Sequence, residues 1–256
     1  MTVEEPSTLE INIDGRAYLA REGETILDVA RRNGIFIPAL CAHSALGGEA
    51  SCRLCVVEVE KGTRTDLQIA CRLRAREGLG VSTASDEALS SRARTLSLLL
   101  ARAPHSPLLV QMASELGVEA ATVELQGEDC ILCGLCVDTC AAVGVEVLQF
   151  LGRGAERKVV LVTDGERSDC IGCLACETLC PVQGASGFVQ DGELVLPRWG
   201  ISLPLERCAR CGRELAPRSA QAYVQERAKG ARARIDLCPE CKRKAALAAR
   251  FKSSAG

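Results

Sequence analysis

The chain has 256 residues, 31 Lys/Arg against 33 Asp/Glu, 47% hydrophobic and only 3% aromatic residues, and sixteen cysteines. The length allows real cores, while compact cysteine groups from Cys41 to Cys241 point to several small modules. Repeated C-x2-C pairs are metal-ligand spacing and not the pattern of loop-stapling disulfides, and no leading basic-plus-apolar segment or membrane-length apolar run is present. The expectation is a cytoplasmic protein in a reducing setting with no direct membrane insertion. The net charge of −2 hides an asymmetry: residues 206 to 256 carry a net +8 and the rest −10.

In chain order, Leu9 to Asp14 alternates as a strand, Asp14-Gly15 signals a tight turn, and Ala17 to Ala20 reads as the returning strand. Thr25-Ile26-Leu27-Asp28 has the form of a capping box, and Gly34 stops the helix it opens. A hairpin followed by a helix suggests a β-grasp unit. Within it Cys41, Cys52, Cys55 and Cys71 follow the spacing C-x10-C-x2-C-x15-C, three from one loop and one from a later strand end. Four soft thiolates suit a [2Fe-2S] rhomb; zinc is the alternative, disfavoured because zinc sites usually pair two C-x2-C knuckles.

Residues 86 to 125 read as a helical linker, with Leu89, Ala93, Leu96, Leu99 and Leu100 as its apolar stripe and breaks near Pro104 and Pro107. Cys130, Cys133, Cys136 and Cys140, then Cys170, Cys173, Cys176 and Cys180 before Pro181, form two C-x2-C-x2-C-x3-C runs, the spacing of two-cluster ferredoxins. That layout exchanges the fourth ligands. Cys180 joins Cys130, Cys133 and Cys136 around one [4Fe-4S], and Cys140 joins Cys170, Cys173 and Cys176 around the other. Gly134 and Gly172 leave room beside the sulfurs, and Ala141 stands where the first run usually has proline. Between the runs, Lys158 to Thr163 is β-rich and Asp164-Gly165 signals a turn; a further hairpin is centred on Asp191-Gly192.

The last module pairs Cys208-x2-Cys211 with Cys238-x2-Cys241 across 26 residues, a tetrahedral four-sulfur layout for zinc, with rubredoxin-like iron as the alternative. Its Lys/Arg content raises nucleic acid as a ligand, but Tyr223 and Phe251 alone are available for stacking, so none is expected. Solvated helix faces account for most of Arg227 to Arg234, and Lys242, Arg243 and Lys244 are candidates for docking on an acidic partner.

Two segments, Ile37-Pro38-Ala39-Leu40-Cys41 and Cys52-Arg53-Leu54-Cys55-Val56-Val57-Glu58-Val59, resemble the N-terminal domain of the large iron-sulfur subunit of respiratory complex I and of diaphorase subunits in soluble NAD-linked hydrogenases and formate dehydrogenases. The likeness runs to about residue 200; the cysteine-rich tail is similar to that of ferredoxin-like subunits in formate hydrogenlyase-type complexes. It implies an α+β chain divided into a β-grasp [2Fe-2S] domain (7–85), a helical linker (86–125), a two-cluster [4Fe-4S] ferredoxin domain (126–200) and a zinc-ribbon-like module (201–256). Those relatives carry another [4Fe-4S], held by one histidine and three cysteines, in the linker. Here His105 has no companion cysteine between Cys71 and Cys130, so that cluster is expected to be missing and His105 to be a surface residue. Either the linker packs the flanking domains together, or a partner's cluster fills the gap; the linker's forty residues favour the partner.

No general base, nucleophile, open metal position, G-x-G-x-x-G after a strand or P-loop is visible, so no catalytic residue is assigned, and FMN and NAD(P) belong to a partner. The implied role is a relay between a flavin-bearing NAD(P)H-oxidising subunit and a hydrogenase (favoured) or formate dehydrogenase-like module. The alternatives are an adaptor in an electron-bifurcating or ferredoxin-linked oxidoreductase and, more remotely, a non-redox zinc-ribbon binding module. A succinate dehydrogenase-type iron-sulfur subunit ranks third, since those use the plant-type first motif and lack the tail.

Overall fold

The computed structural model describes residues 8–122, 129–163, 169–227 and 235–253. The first strands, β1 (Thr8–Ile13) and β2 (Arg16–Arg21), form an antiparallel hairpin in the register Ile13↔Arg16. Its turn places Asp14 at φ 52° and Gly15 at φ 77°, the left-handed pair that a two-residue hairpin matching the strand twist requires. Helix α1 (Ile26–Arg32) starts as its sequence dictates: the Asp28 N–H donates to Thr25 Oγ1 at 3.2 Å and the Thr25 N–H to Asp28 Oδ2 at 3.0 Å.

Two short strands, β3 (Ala42–His43) and β4 (Gly47–Gly48), pair and fold the first cysteine loop back on itself. Strands β5 (Val56–Lys61), β6 (Arg64–Ile69) and β7 (Gly80–Ser82) complete a five-stranded sheet of order β2-β1-β7-β5-β6, in which only β1 and β7 run parallel. Ile11, Ile13, Val57, Val59 and Val81 face Ile26, Val29 and Ala30 of α1 across the core, which is the β-grasp arrangement.

The linker is two helices, α2 (Asp86–Arg102) and α3 (Pro107–Leu116). Ser106 caps α3, Pro107 occupies its first turn, and Gly117 at φ 62° ends it. The buried face of α2 is Ala88, Arg92 and Leu96, whereas Leu89, expected on the stripe, is exposed. The stripe is rotated because Arg92, 7% exposed, points inward and donates to the Val56 carbonyl from Nε at 3.1 Å and from its terminal nitrogen at 2.5 Å. A buried guanidinium is tolerable only with such partners.

The ferredoxin region holds α4 (Leu135–Val143), the hairpin β8 (Leu148–Leu151) and β9 (Lys158–Leu161), and the short α5 (Ala175–Thr178). The Asp164-Gly165 turn expected after β9 lies outside the described residues. A second sheet follows in the order β10-β11-β12-β13, from β10 (Phe188–Gln190), β11 (Glu193–Leu196), β12 (Ile201–Arg207) and β13 (Glu214–Pro217). Its first hairpin turns at Asp191-Gly192, as the sequence suggests, and its β11–β12 pairing carries the sheet continuously across the boundary expected at residue 200. Helices α6 (Arg218–Arg227) and α7 (Pro239–Ser253) close the chain. Of the stretch Arg227 to Arg234, only Arg227 is among the described residues. No helix among them is long and apolar enough to cross a membrane.

Candidate functional site

Cys41 leaves the loop before β3, Cys52 and Cys55 precede β5, and Cys71 follows the end of β6. The loop between Cys41 and Cys55 needs left-handed backbone at Ala50 and Arg53 to turn its N–H groups inward, and the Cys52 N–H points at Cys41 Sγ at 3.5 Å. The thiols contact one another. Hydrogen bonding with Cys52 pulls Cys41 down to about 5, and the contact with Cys71 pulls Cys55 down to about 7. Cys52 and Cys71 are pushed up, each first by its thiol partner and then by burial. Four sulfurs competing for protons around one site are a donor set suited to cationic iron.

Cys130, Cys133, Cys136 and Cys180 line one nearly apolar cavity; Cys140, Cys170, Cys173 and Cys176 line a second. The fourth cysteine of each run therefore faces the three leading cysteines of the other. The two runs share a backbone plan that their residues disguise. The second position after the leading cysteine is left-handed in both (Leu132, φ 53°; Gly172, φ 68°), as is the fourth (Gly134, φ 84°; Leu174, φ 59°). Each run places glycine at one of these positions and leucine, which strains there, at the other. This geometry aims the Leu132 N–H at Cys130 Sγ (3.4 Å) and the Gly172 N–H at Cys170 Sγ (3.5 Å). Gly172 also has no room for a side chain: a β-carbon would stand 2.8 Å from Leu203 Cδ1 and 2.9 Å from Pro217 Cγ.

Burial pushes Cys133 and Cys136 up to about 12, the cost of leaving a thiolate in an apolar cavity. In the second cavity Cys176 is raised by burial and drawn back by the indole N–H of Trp199. That N–H is buried and makes no regular hydrogen bond to any atom of the described residues. An orphaned donor facing a sulfur-lined cavity fits a group whose sulfurs accept hydrogen bonds. Sequence reading missed Trp199 because no spacing rule ties a tryptophan to a cysteine run.

The Cys41–Cys55 loop and the first run touch directly. Cys41, Cys52 and Leu54 share one apolar cluster with Ile131, Cys133 and Val182, and with Leu96, Ala103, Leu109 and Ala113 of the α2–α3 region. Ser51 Oγ donates to the Cys133 carbonyl at 3.4 Å, and a β-carbon on Gly134 would lie 3.0 Å from Glu49 Cγ. Of the two ways to close the gap, a packed linker or a partner's cluster, the structure displays the less favoured one: the linker packs the domains together, the buried faces of α2 and α3 contributing to the cluster that joins them. His105 is exposed in the α2–α3 turn, its backbone N–H donating to Asp129 Oδ1 at 3.3 Å, with no cysteine grouped with it among the described residues.

In the tail, the sulfurs of Cys208, Cys211, Cys238 and Cys241 all lie within 4.8 Å of one another. The Cys238 N–H points at Cys208 Sγ at 3.3 Å and the Cys241 N–H at Cys238 Sγ at 3.4 Å, as in paired knuckles that hold one metal ion. The tail grips the ferredoxin region: Ser219 Oγ donates to the Ile171 carbonyl at 3.3 Å, and the Tyr223 hydroxyl to that of Val143, beneath the stacked Arg227 guanidinium.

Residues 7–86 match the family of 2Fe-2S iron-sulfur cluster binding domains, and residues 119–184 match the 4Fe-4S dicluster domain. The chain is thereby an iron-sulfur protein that places a [2Fe-2S] ferredoxin domain before a two-cluster [4Fe-4S] domain, in a mixed α+β fold. Within that class it is a homologue of components of NAD(P)-reducing hydrogenases and NADH-quinone oxidoreductase. It is 31% identical over 208 residues to the HndD component of the NADP-reducing hydrogenase of Solidesulfovibrio fructosivorans, covering 68% of this chain and 35% of that one. To the gamma component of the NAD-reducing hydrogenase HoxS of Cupriavidus necator it is 30% identical over 176 residues (66% and 64%), and to an NADH-quinone oxidoreductase component of Rhizobium meliloti 26% over 249 residues (82% and 29%). A chain in the crystal structure of an NAD+-reducing [NiFe]-hydrogenase in the H2-reduced state superposes with a TM-score of 0.62 at 28% identity, over 73% of this chain and 92% of that one. The chain thus spans less than two thirds of each of these curated relatives.

Proposed function

We propose that this chain is an electron-transfer subunit that relays electrons between a flavin-bearing, NAD(P)H-oxidising subunit and a hydrogenase or formate dehydrogenase-like module, with FMN and NAD(P) held by the partner. Cys41, Cys52, Cys55 and Cys71 would hold a [2Fe-2S]. Cys130, Cys133, Cys136 and Cys180 would hold one [4Fe-4S], and Cys140, Cys170, Cys173 and Cys176 the other. Cys208, Cys211, Cys238 and Cys241 would hold a structural zinc, and the working division of the chain is 7–85, 86–125, 126–200 and 201–256. Each iron-sulfur centre, when bound, accepts and returns one electron at a time.

The observation that carries this reading is the apolar cluster shared by Cys41, Cys52 and Cys133, with Cys180 packed against it. The chain's own residues fix the spacing of the sites, keep water out of the seam between them and supply N–H donors to the sulfurs. The reading is tested by isolating the chain anaerobically with its genomic neighbours and adding NADH or NADPH. Reduction of all three centres, seen by magnetic resonance, is expected only when a flavoprotein co-purifies. Full reduction by nicotinamide with no flavoprotein present would refute the assignment.

A further inference from the structure

Three of the four cysteines at the first site are buried; Cys71 is the half-buried one, and it opens on a cavity of about 320 Å³. Arg31, Arg72 and Arg74, all exposed, line that cavity with half-buried His43 and a single carboxylate, Asp28. Asp28 is engaged at the helix start, where Oδ2 accepts from the Thr25 hydroxyl at 2.6 Å and the Thr25 N–H at 3.0 Å. No ion pair joins any of the three guanidinium groups to a carboxylate among the described residues. Arg31 instead donates to the Ala42 carbonyl at 3.1 Å and Arg74 to that of Gly23. The domain around them, residues 8 to 85, has ten Lys/Arg and ten Asp/Glu and is neutral. Three cations with no carboxylate partner among the described residues therefore make a local positive excess at the accessible edge of this site.

Uncompensated charge at the mouth of a cleft attracts opposite charge and orients it. We propose that this cavity is the docking port for an acidic surface of the redox partner, whose carboxylates face Arg31, Arg72 and Arg74 and bring its donor group against Cys71. The proposal rests on the electron-transfer reading above. In each exchange the partner loses one electron and the Cys71 site gains one, with no bond made and no proton moved.

The test uses the full, cluster-loaded chain and two arms. In the first, labelled poly-L-glutamate is titrated against the native protein and Arg72→Glu/Arg74→Glu, with anisotropy as the readout. In the second, the dithionite-reduced protein is mixed rapidly with hexacyanoferrate(III), an anion, or hexaammineruthenium(III), a cation. At low salt the native chain is expected to bind the peptide and the variant not. The variant's rate with the anion should fall about tenfold or more while that with the cation rises, both converging with native near ~1 M salt. The native chain's overall negative charge would by itself predict no such preference for the anion. Arg72→Gln/Arg74→Gln, expected to fall in between, keeps the test available if the reversed pair does not load. Unchanged peptide binding and anion rate in a variant with an intact [2Fe-2S] signal would overturn the port. Absence of that signal from the native loaded chain would overturn the electron-transfer reading beneath it.

Discussion

Replacing Trp199 by Phe should lower the reduction potential of the second [4Fe-4S] site and leave the first untouched. The ring stays in the cavity it lines with Leu196 and Cys176, and only the buried N–H is lost. A hydrogen bond to a charged acceptor contributes about 1.5–3 kcal/mol. The acceptor sulfurs are anionic in both oxidation states, so only the increment on reduction counts, about 0.5–1.5 kcal/mol. For a one-electron couple, 59 mV corresponds to about 1.4 kcal/mol, which gives a fall of about 20–65 mV. Potentiometric titration followed by magnetic resonance measures it, with iron content as a control for loading. A shift below about 10 mV, or one confined to the Cys130 site, would show that the indole does not donate to these sulfurs. Thermal denaturation supplies an independent sign: an unsatisfied N–H destabilises, so a variant more stable than native would also defeat the reasoning.

Cys140→Ser should remove about four of the roughly ten irons expected in the loaded chain, and the missing centre should be that of Cys170, Cys173 and Cys176; loss of the Cys130 centre, seen by magnetic resonance, would refute the exchange of fourth ligands. Arg92→Ala leaves the Val56 carbonyl without its two donors and should cost about 2–4 kcal/mol in chemical denaturation, while Arg92→Lys recovers part of it; a loss under about 0.5 kcal/mol would mean the pair is not needed to dock α2. Cys208→Ser/Cys211→Ser should make residues 201 to 256 sensitive to protease while iron content stays at its native value; a fall in iron would assign those thiols to a cluster.

What the sequence disclosed was local. The Asp14-Gly15 turn and the Thr25 capping box are written in spacings of one to three residues, and each forms as written. Features that depend on what packs from far away were hidden. Arg92 reads as solvent-facing until Val56 is placed beneath it, and its inward turn is what puts Leu89 outside. Strand β12 is masked by Pro204, which lacks a ladder donor and argues against a strand in the middle of a sheet, so the sheet's continuation past residue 200 does not show in the sequence. Leu132 and Leu174 conceal a shared backbone plan because glycine appears at only one of the two left-handed positions in each run.

The seam in which Cys41, Cys52 and Cys133 share a wall also bears on how such a chain is made. Each domain supplies part of the other's shelter, so on that side the two sites are closed from solvent only once the joint has formed. Maturation of the two facing sites and closure of the joint are then one cooperative event. Losing either side of that wall uncovers apolar side chains of the other.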